Sequence, residues 1–187
     1  MPQKPENIIF KHVFGPVRSR RLGISLGVDL IPAKTCNQNC VYCEAGKTSD
    51  LTNERKEFFP LSEILDELFA FLSSGPKLDF ITFSGAGEPT LYSKIGEVIS
   101  GIKGNFPEYK ICLLTNGILI GHGSMPDELR LLDLIIPSLD ASDEDTFQKI
   151  NRPAKGLNFE YLKNSLAMFR KRNPVEIVAP LREMPGT

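Results

Sequence analysis

The sequence predicts an α/β protein in which parallel strands alternate with helices, as in a partial (β/α) barrel. Three observations support this fold class. Short runs of β-branched and aliphatic residues alternate with longer segments of helical periodicity, several of these runs are apolar on both faces, and polar or glycine-rich loops follow them. Strands that are buried on both faces are typical of parallel sheets.

Five segments have the composition of strands. The first, Gly23–Pro32, is rich in leucine and β-branched residues and stops at its proline. The second, Leu78–Phe83, is a short apolar run bounded by Gly85. The other three predicted strands are Lys110–Leu114, Asp133–Leu139 and Val175–Ala179.

Helices are predicted in the intervals between these strands. Leu61–Leu72 has apolar residues at positions 61, 64, 65, 68, 69 and 72, which is helical spacing. Pro60 is a reasonable start signal for this helix and Gly75 a stop signal. The other predicted helices are Ile95–Ile102, Pro126–Leu132, Asp143–Ile150 and Phe159–Lys171.

The length and the number of strands define the expected domain. The chain has 187 residues, which suits one domain over residues 1–187, with 1–20 as an N-terminal extension. About five βα units can be counted, so we expect a barrel that lacks its C-terminal closing strand. An open parallel edge exposes unpaired backbone groups, and we therefore expect an oligomer or a partner that completes the barrel.

Charge and hydropathy exclude several classes of protein. The 22 basic and 23 acidic residues nearly cancel, which argues against a protein that coats nucleic acid or an anionic membrane. No apolar run is long enough to span a bilayer, and Met1–Phe10 has no apolar signal-peptide core. We therefore expect a cytoplasmic protein without a membrane partner. Closely spaced cysteines in that compartment indicate metal binding or catalysis.

The strongest motif is the triplet Cys36, Cys40 and Cys43, with the spacing Cys-x3-Cys-x2-Cys in a loop. Thiolates are the ligands that iron–sulfur clusters require. Three thiolates leave one iron of a four-iron cluster without a protein ligand, so that iron can bind a substrate or a second cofactor. Cys112 lies inside a predicted strand and is expected to be a buried apolar residue.

Two alternatives to the cluster remain open at this point. Zinc would need a fourth ligand such as His12 or His122, and both histidines are distant from the triplet in sequence. The three cysteines could also remain reduced without any metal.

Motifs in the loops after the later strands extend the pattern, because parallel sheets place their chemistry at the carboxyl ends of strands. With Tyr42 before the last cysteine, the triplet resembles the radical S-adenosylmethionine (SAM) superfamily. Phe83–Leu91 is similar to the glycine-glycine-glutamate segment of that family, although Ala86 replaces the common glycine. Further matching segments are Thr115–Gly117, Pro137–Ala141, Ile150–Pro153, Arg20–Gly23 and Ser25–Asp29, the last two being closest to uncharacterised iron–sulfur oxidoreductases.

This resemblance implies a [4Fe–4S] cluster on the three cysteines and SAM on the open iron. It implies that SAM contacts the residues Tyr42, Ala86, Gly87, Glu88, Asn116, Ser138 and Asp140. The backbone at 86–88 would meet the methionine amino group, Ser138 and Asp140 the ribose, and Tyr42 the adenine. Structural roles stay open for the same residues: a turn at Glu88 or Asn116, a helix cap at Asp140 and packing at Tyr42.

The implied reaction begins with one electron from a flavodoxin- or ferredoxin-type reductant. SAM is then cleaved to methionine and a 5′-deoxyadenosyl radical, which abstracts hydrogen from a substrate that the sequence leaves unknown. A zinc-binding interaction module and a catalytically degenerate member of the family are the competing interpretations. The pattern assigns no role to Arg18, Arg20, Arg21 and Arg152.

Overall fold

In the computed structural model, residues 10–178 are described. The chain begins with an antiparallel hairpin of β1 (Val13–Ser19) and β2 (Gly23–Val28), in which Val13 lies opposite Val28 and Ser19 opposite Gly23. A separate short parallel pair follows, made of β3 (Thr35–Cys36) and β4 (Asp50–Leu51). The segment that carries Cys36, Cys40 and Cys43 thus begins at β3, shortly after the hairpin.

The rest of the chain alternates helices and strands. In chain order the elements are α1 (Leu61–Leu72), β5 (Phe80–Phe83), a 3-10 turn (Pro89–Leu91), α2 (Ile95–Asn105), β6 (Ile111–Thr115), α3 (Met125–Glu128), β7 (Leu134–Pro137), α4 (Glu144–Ile150), α5 (Phe159–Arg172) and β8 (Glu176–Ile177).

One six-stranded sheet organises these elements, in the order β1-β2-β5-β6-β7-β8. Every pair after the hairpin is parallel, so the predicted α/β class with a mostly parallel sheet is confirmed. The five parallel strands lie in chain order, each beside the next one along the chain. Their carboxyl ends therefore meet at one edge of the sheet, and the loops after β2, β5, β6 and β7 are brought together there.

The hairpin strand β1 was not predicted, and it lies within the segment expected to be an N-terminal extension. Its sequence contains Gly15 and Pro16, and most of its side chains are exposed, so it lacks the apolar signature of the other strands. The predicted first strand also ends earlier than expected, at Val28 instead of Pro32. Ala179, the last residue of the predicted fifth strand, lies outside the described residues.

The main core lies on one face of the sheet. Alternate strand residues such as Leu26, Ile81 and Leu113 are fully buried there against α1 and α2. Each such side chain contributes about 1.5–3 kcal/mol when it is fully removed from water. The opposite face buries Cys112 together with Leu22 and Ile136, which confirms the buried role expected of that cysteine. Within residues 10–178, no helix is both long and apolar enough to cross a membrane.

Candidate cofactor-binding cleft

A cleft of about 270 Å³ lies at the carboxyl edge of the sheet. Its lining includes eight of the ten site residues predicted from the sequence: Cys36, Cys40, Tyr42, Cys43, Gly87, Glu88, Asn116 and Ser138. Ala86 and Asp140 are not part of the lining, although both belong to loops that supply it. The topology thus brings together residues that are up to about a hundred positions apart in the chain.

The triplet cysteines are all free thiols, with Cys36 and Cys40 half-buried and Cys43 exposed. Burial, and then the charge of Glu88, raises the pKa of the Cys36 thiol to about 12. Without a metal this thiol keeps its proton at neutral pH, and a metal ion would have to displace that proton.

Nitrogen donors surround two of the three sulfurs. The Gln38 backbone N–H donates to Cys36 Sγ at 3.3 Å, and Asn116 Nδ2 lies 3.7 Å from the same sulfur. Asn151 Nδ2 lies 3.5 Å from Cys40 Sγ. Hydrogen bonds to cysteine sulfurs are a feature by which proteins tune iron–sulfur clusters. These residues therefore fit a thiolate-bound cluster better than they fit an idle pair of thiols.

The three thiols share a cleft but do not converge on a site for a single metal ion. Across residues 10–178 there is no group of three or more His, Cys, Asp or Glu side chains placed to hold a metal ion. That finding concerns a single ion, whereas the three thiolates of a [4Fe–4S] cluster would each bind a different iron.

Neither histidine supplies the fourth ligand that a zinc site would need. His12 is buried against the Phe59 ring, and His122 stacks on Tyr161 with 4.1 Å between the ring centroids. Neither of them lines the cleft. The zinc alternative thus lacks the ligand on which it depended.

The cysteine loop is held in place by a segment that the sequence analysis had noted without assigning it a role. The backbone N–H of Asn39 donates to Asn151 O at 3.0 Å, and that of Val41 donates to Ile150 O at 2.8 Å. In return, Ala154 N–H donates to Asn37 O at 2.9 Å. Because these bonds join positions more than a hundred residues apart, no local pattern could have predicted them.

The loop after β5 approaches the cysteine strand through its glycines. A Cβ atom on Gly87 would lie 2.4 Å from Thr35 O, and one on Gly85, which has a φ of +126°, would lie 1.4 Å from Asp29 Oδ1. Ala86 between them does not have a positive φ, since within residues 10–178 only Lys34 and Arg152 do so among non-glycine residues. The alanine therefore replaces the expected glycine without backbone strain.

Glu88 is buried, and both of its carboxylate oxygens accept hydrogen bonds. Oε1 accepts from the Thr90 hydroxyl at 2.6 Å and the Thr115 hydroxyl at 2.7 Å, while Oε2 accepts from Asn116 N–H at 2.8 Å. Burial raises the pKa of this carboxyl, and the donors act in the opposite direction. Glu88 also begins the 3-10 turn at Pro89, so the turn role considered for it is present as well.

Tyr42 links the cysteine loop to the loop after β7. Its hydroxyl donates to Asp140 Oδ2 at 2.5 Å and accepts from Asn151 Nδ2 at 2.8 Å. Burial, followed by the hydrogen bond to Asp140, raises the pKa of Tyr42. The helix cap considered for Asp140 is wrong, because Asp143 caps α4 by accepting from Thr146 N–H.

Asn116 combines the two roles that the sequence left open. Its Oδ1 accepts from Ile118 N–H at 3.1 Å, which forms the expected turn. Its Nδ2 faces Cys36 and donates to Asn37 Oδ1. Ser138, in the next loop, donates its backbone N–H to Thr115 O at 2.8 Å, so the loops after β6 and β7 are also joined.

The family is decided by comparison with known proteins. A family model for the radical SAM superfamily matches residues 30–181, which is most of the chain. The chain belongs to the radical SAM superfamily. The resemblance seen in the sequence motifs is thereby confirmed, and the superfamily motifs are the ones that line the cleft.

Individual relatives share most of the length of this chain. The chain is 40% identical over 166 residues to a UPF0026 protein of Synechocystis sp., covering 88% of this chain and 62% of that protein. It is 43% identical over 161 residues to a protein named GTPase Obg from Brachyspira hyodysenteriae, covering 86% of this chain and 24% of that one. The chain thus spans between about a quarter and three fifths of these relatives.

A solved structure shows that the fold is shared. Native anSMEcpe with bound AdoMet superimposes with a TM-score of 0.60 at 22% sequence identity, covering 83% of this chain and 42% of that one. At this identity the likeness concerns the fold alone. It supports the mixed α/β architecture with a mostly parallel sheet as the radical SAM fold.

Proposed function

We propose that this chain is a radical SAM enzyme in which Cys36, Cys40 and Cys43 hold a [4Fe–4S] cluster. The observation that carries the proposal is that all three cysteines line the same cleft as the loops after β5, β6 and β7. Radical SAM proteins bind such a cluster and AdoMet, and the similar anSMEcpe structure contains AdoMet. The chemistry that the bound, reduced cluster supplies is one-electron cleavage of SAM to methionine and a 5′-deoxyadenosyl radical, which takes hydrogen from a substrate.

The chain's own residues would orient SAM in this cleft. The glycine loop offers backbone at Ala86, Gly87 and Glu88 to the methionine amino group, because the Glu88 carboxylate is already occupied by loop donors. Ser138 and Asp140 follow β7 and would face the ribose. The hydrogen bond between Tyr42 and Asp140 supports adenine binding beside the Tyr42 ring, close to the ribose site.

Asn116 is the further contact in this proposal. Its side-chain Nδ2 lies near Cys36 Sγ and its backbone N–H donates to Glu88. The side chain is therefore placed where it can meet a ligand of the open iron. Closing the cleft over SAM would exclude water from the reacting bond, which is the protein's usual contribution to cofactor chemistry.

The proposal extends to the domain and its partners. We infer that residues 1–187 form a radical SAM core whose parallel strands, lying in chain order, are a segment of a (β/α) barrel. The chain would associate with a second copy or another partner, and a flavodoxin- or ferredoxin-type protein would supply the electron. Sedimentation of the reconstituted chain tests the proposed association, since a stable monomer would contradict it.

Anaerobic reconstitution with iron and sulfide tests the cluster. We expect about four irons per chain and a brown chromophore in the wild type. Cys40→Ala should lose both, while Cys112→Ala is the matched control, because Cys112 is buried on the other face of the sheet and should leave the iron content unchanged. Stoichiometric zinc with no chromophore would instead support the binding-module alternative.

A cleavage assay separates an enzyme from a degenerate relative. The reconstituted chain is incubated with SAM and dithionite, and 5′-deoxyadenosine is measured by chromatography. Formation of 5′-deoxyadenosine that depends on Cys40 supports the enzyme. A full cluster with SAM bound but not cleaved would identify a member that keeps the fold without the reaction.

A further inference from the structure

The buried amide side chains of Gln38 and Asn151 both contact the sulfur of Cys40. Gln38 is 2% exposed and Asn151 is 3% exposed. Cys40 Sγ lies 3.3 Å from Gln38 Oε1 and 3.5 Å from Asn151 Nδ2, and the two amides lie 3.4 Å from each other. The sulfur and the two amides therefore form one contiguous polar group inside the protein.

This group contains polar atoms without partners. Gln38 Nε2 and Asn151 Oδ1 are both buried without a hydrogen-bond partner among the described residues. A buried polar atom without a partner costs free energy, and native proteins rarely leave one unless another state uses it. The unpartnered donor, Gln38 Nε2, belongs to the amide whose oxygen lies 3.3 Å from Cys40 Sγ, so the sulfur is the acceptor within its reach.

The free thiol and the metal-bound thiolate need opposite partners. As a thiol, Cys40 donates its S–H to Gln38 Oε1, so the Gln38 amide must present its oxygen. As a metal ligand the sulfur carries no proton and can only accept. Rotation of the Gln38 amide then exchanges Oε1 for Nε2 and gives the unpartnered donor an acceptor.

We propose that Gln38 and Asn151 are positioning residues for Cys40 that donate N–H groups to its sulfur when it binds the cluster. The inference rests on the proposed function, because it concerns the cluster ligand. Donors to sulfur stabilise the more negative, reduced cluster and so raise its reduction potential. Asn151 Nδ2 also donates to the Tyr42 hydroxyl at 2.8 Å, so the same amide ties this ligand to Tyr42 and, through it, to Asp140.

Isosteric substitutions test the donors without changing side-chain volume. Gln38→Glu and Asn151→Asp each replace an NH2 group by an oxygen but also add a negative charge, so the uncharged, nearly isosteric Gln38→Met and Asn151→Leu are titrated beside them to isolate the lost donor. The matched control is Asn173→Asp, since Asn173 is an equally buried amide that donates to Pro126 O far from the cysteine loop. All chains are reconstituted anaerobically, and the cluster midpoint potential is measured by redox titration with electron paramagnetic resonance.

We expect the uncharged variants to bind the cluster and to be reduced about tenfold less readily than the wild type, and the carboxylate variants to be reduced less readily still. For one electron that equals a midpoint about 59 mV lower. Asn173→Asp should titrate as the wild type does. Test variants whose midpoints match that of Asn173→Asp would overturn the inference, whereas a wild type that takes up no iron would overturn the proposed function first.

Amide hydrogen exchange of the metal-free chains provides a second measurement that needs no cluster. The Asn151 amide helps to hold the loop, so Asn151→Asp should speed exchange over residues 36–43 severalfold. Asn173→Asp should leave exchange in that segment unchanged. Equal exchange there in the two variants would contradict the positioning role even if Asn151→Asp failed to take up iron.

Discussion

The backbone N–H of Asn116 donates to the Glu88 carboxylate at 2.8 Å, and this bond joins the loops that follow β5 and β6. Neither loop contains regular structure at that point, so this bond holds together two loops that no strand pairing connects. The Thr115 hydroxyl reinforces it by donating to the other oxygen of the same carboxylate. The cleft therefore depends on one fully buried acidic side chain.

Glu88→Gln should destabilise the fold by about 1–3 kcal/mol, because the new NH2 group would face the Asn116 N–H or the threonine hydroxyls as a second donor. Urea unfolding measured by circular dichroism checks this prediction. The control is Glu97→Gln, since Glu97 is exposed and pairs with Lys94 on the surface. A loss for Glu88→Gln no larger than that of the control would mean that the carboxylate does not hold the loops together.

Gly87→Ala should weaken SAM binding and lower stability. The added Cβ would lie 2.4 Å from Thr35 O, so the glycine loop would have to move away from the cysteine strand. Gly104→Ala is the matched control, because its Cβ would meet nothing within 4 Å. In that helical position alanine should raise stability by about 0.5–1 kcal/mol. Thermal unfolding and equilibrium dialysis with SAM compare the two variants. Equal SAM affinity would contradict a close approach of the glycine loop to the cysteine strand.

Cys112 should resist alkylation while the exposed Cys43 reacts. Burial raises the pKa of its thiol to about 12, so almost none of it is thiolate at pH 8. Cys43 is exposed and should be labelled first by iodoacetamide in the metal-free chain. Mass spectrometry of the labelled peptides provides the measurement. Labelling of native Cys112 at the rate of Cys43 would show that this face of the sheet opens readily.

The ion pair between Arg55 and Glu128 should make stability depend on acid pH. Their side chains are 26% and 21% exposed, and Arg55 donates to both carboxylate oxygens, at 3.1 and 2.6 Å. Burial alone would raise the pKa of Glu128, but the hydrogen bonds from Arg55 and Ser124 outweigh it and lower the pKa below 4.5.

A depressed carboxyl pKa contributes stability that is present above pH 4.5 and is lost as pH falls through the folded-state value. Arg55→Gln should therefore cost about 1–2 kcal/mol at pH 7 and progressively less below pH 4. The exposed pair of Lys94 and Glu97 supplies the control, and Lys94→Gln should change stability by less than about 0.5 kcal/mol. Urea titrations at both pH values compare the variants, and a pH-independent difference would contradict the pairing.

Elements with a strong local pattern were predicted from the sequence. The apolar spacing of α1 predicted its bounds, Leu61–Leu72, because one face of the helix packs on the sheet. The four later parallel strands were also placed, and in β5, β6 and β7 the mostly buried residues form apolar runs. The antiparallel strand β1 was missed, since its exposed side chains and Pro16 leave no such run.

The candidate site likewise combines motifs that are short in sequence with contacts between residues that are far apart in the chain. The cysteine spacing and the loop motifs were readable because each lies within a few residues. The contacts that position them were not, since Asn151 meets Cys40 across 111 residues of chain. The role of the buried Glu88 carboxylate was likewise hidden, because its partners Thr115 and Asn116 come from another strand end.

The separation between the cysteine loop and its supporting segment also bears on how the protein is made. Cys40 is added to the growing chain 111 residues before Asn151, which at about 5–20 residues per second amounts to roughly 6–20 s of synthesis. During that interval the nascent loop has its thiols but lacks the backbone partners that shape it. Metal delivered before Asn151 is added would meet an unformed loop, so the cluster can bind to the loop in its folded shape only after the segment at 150–154 has been synthesised.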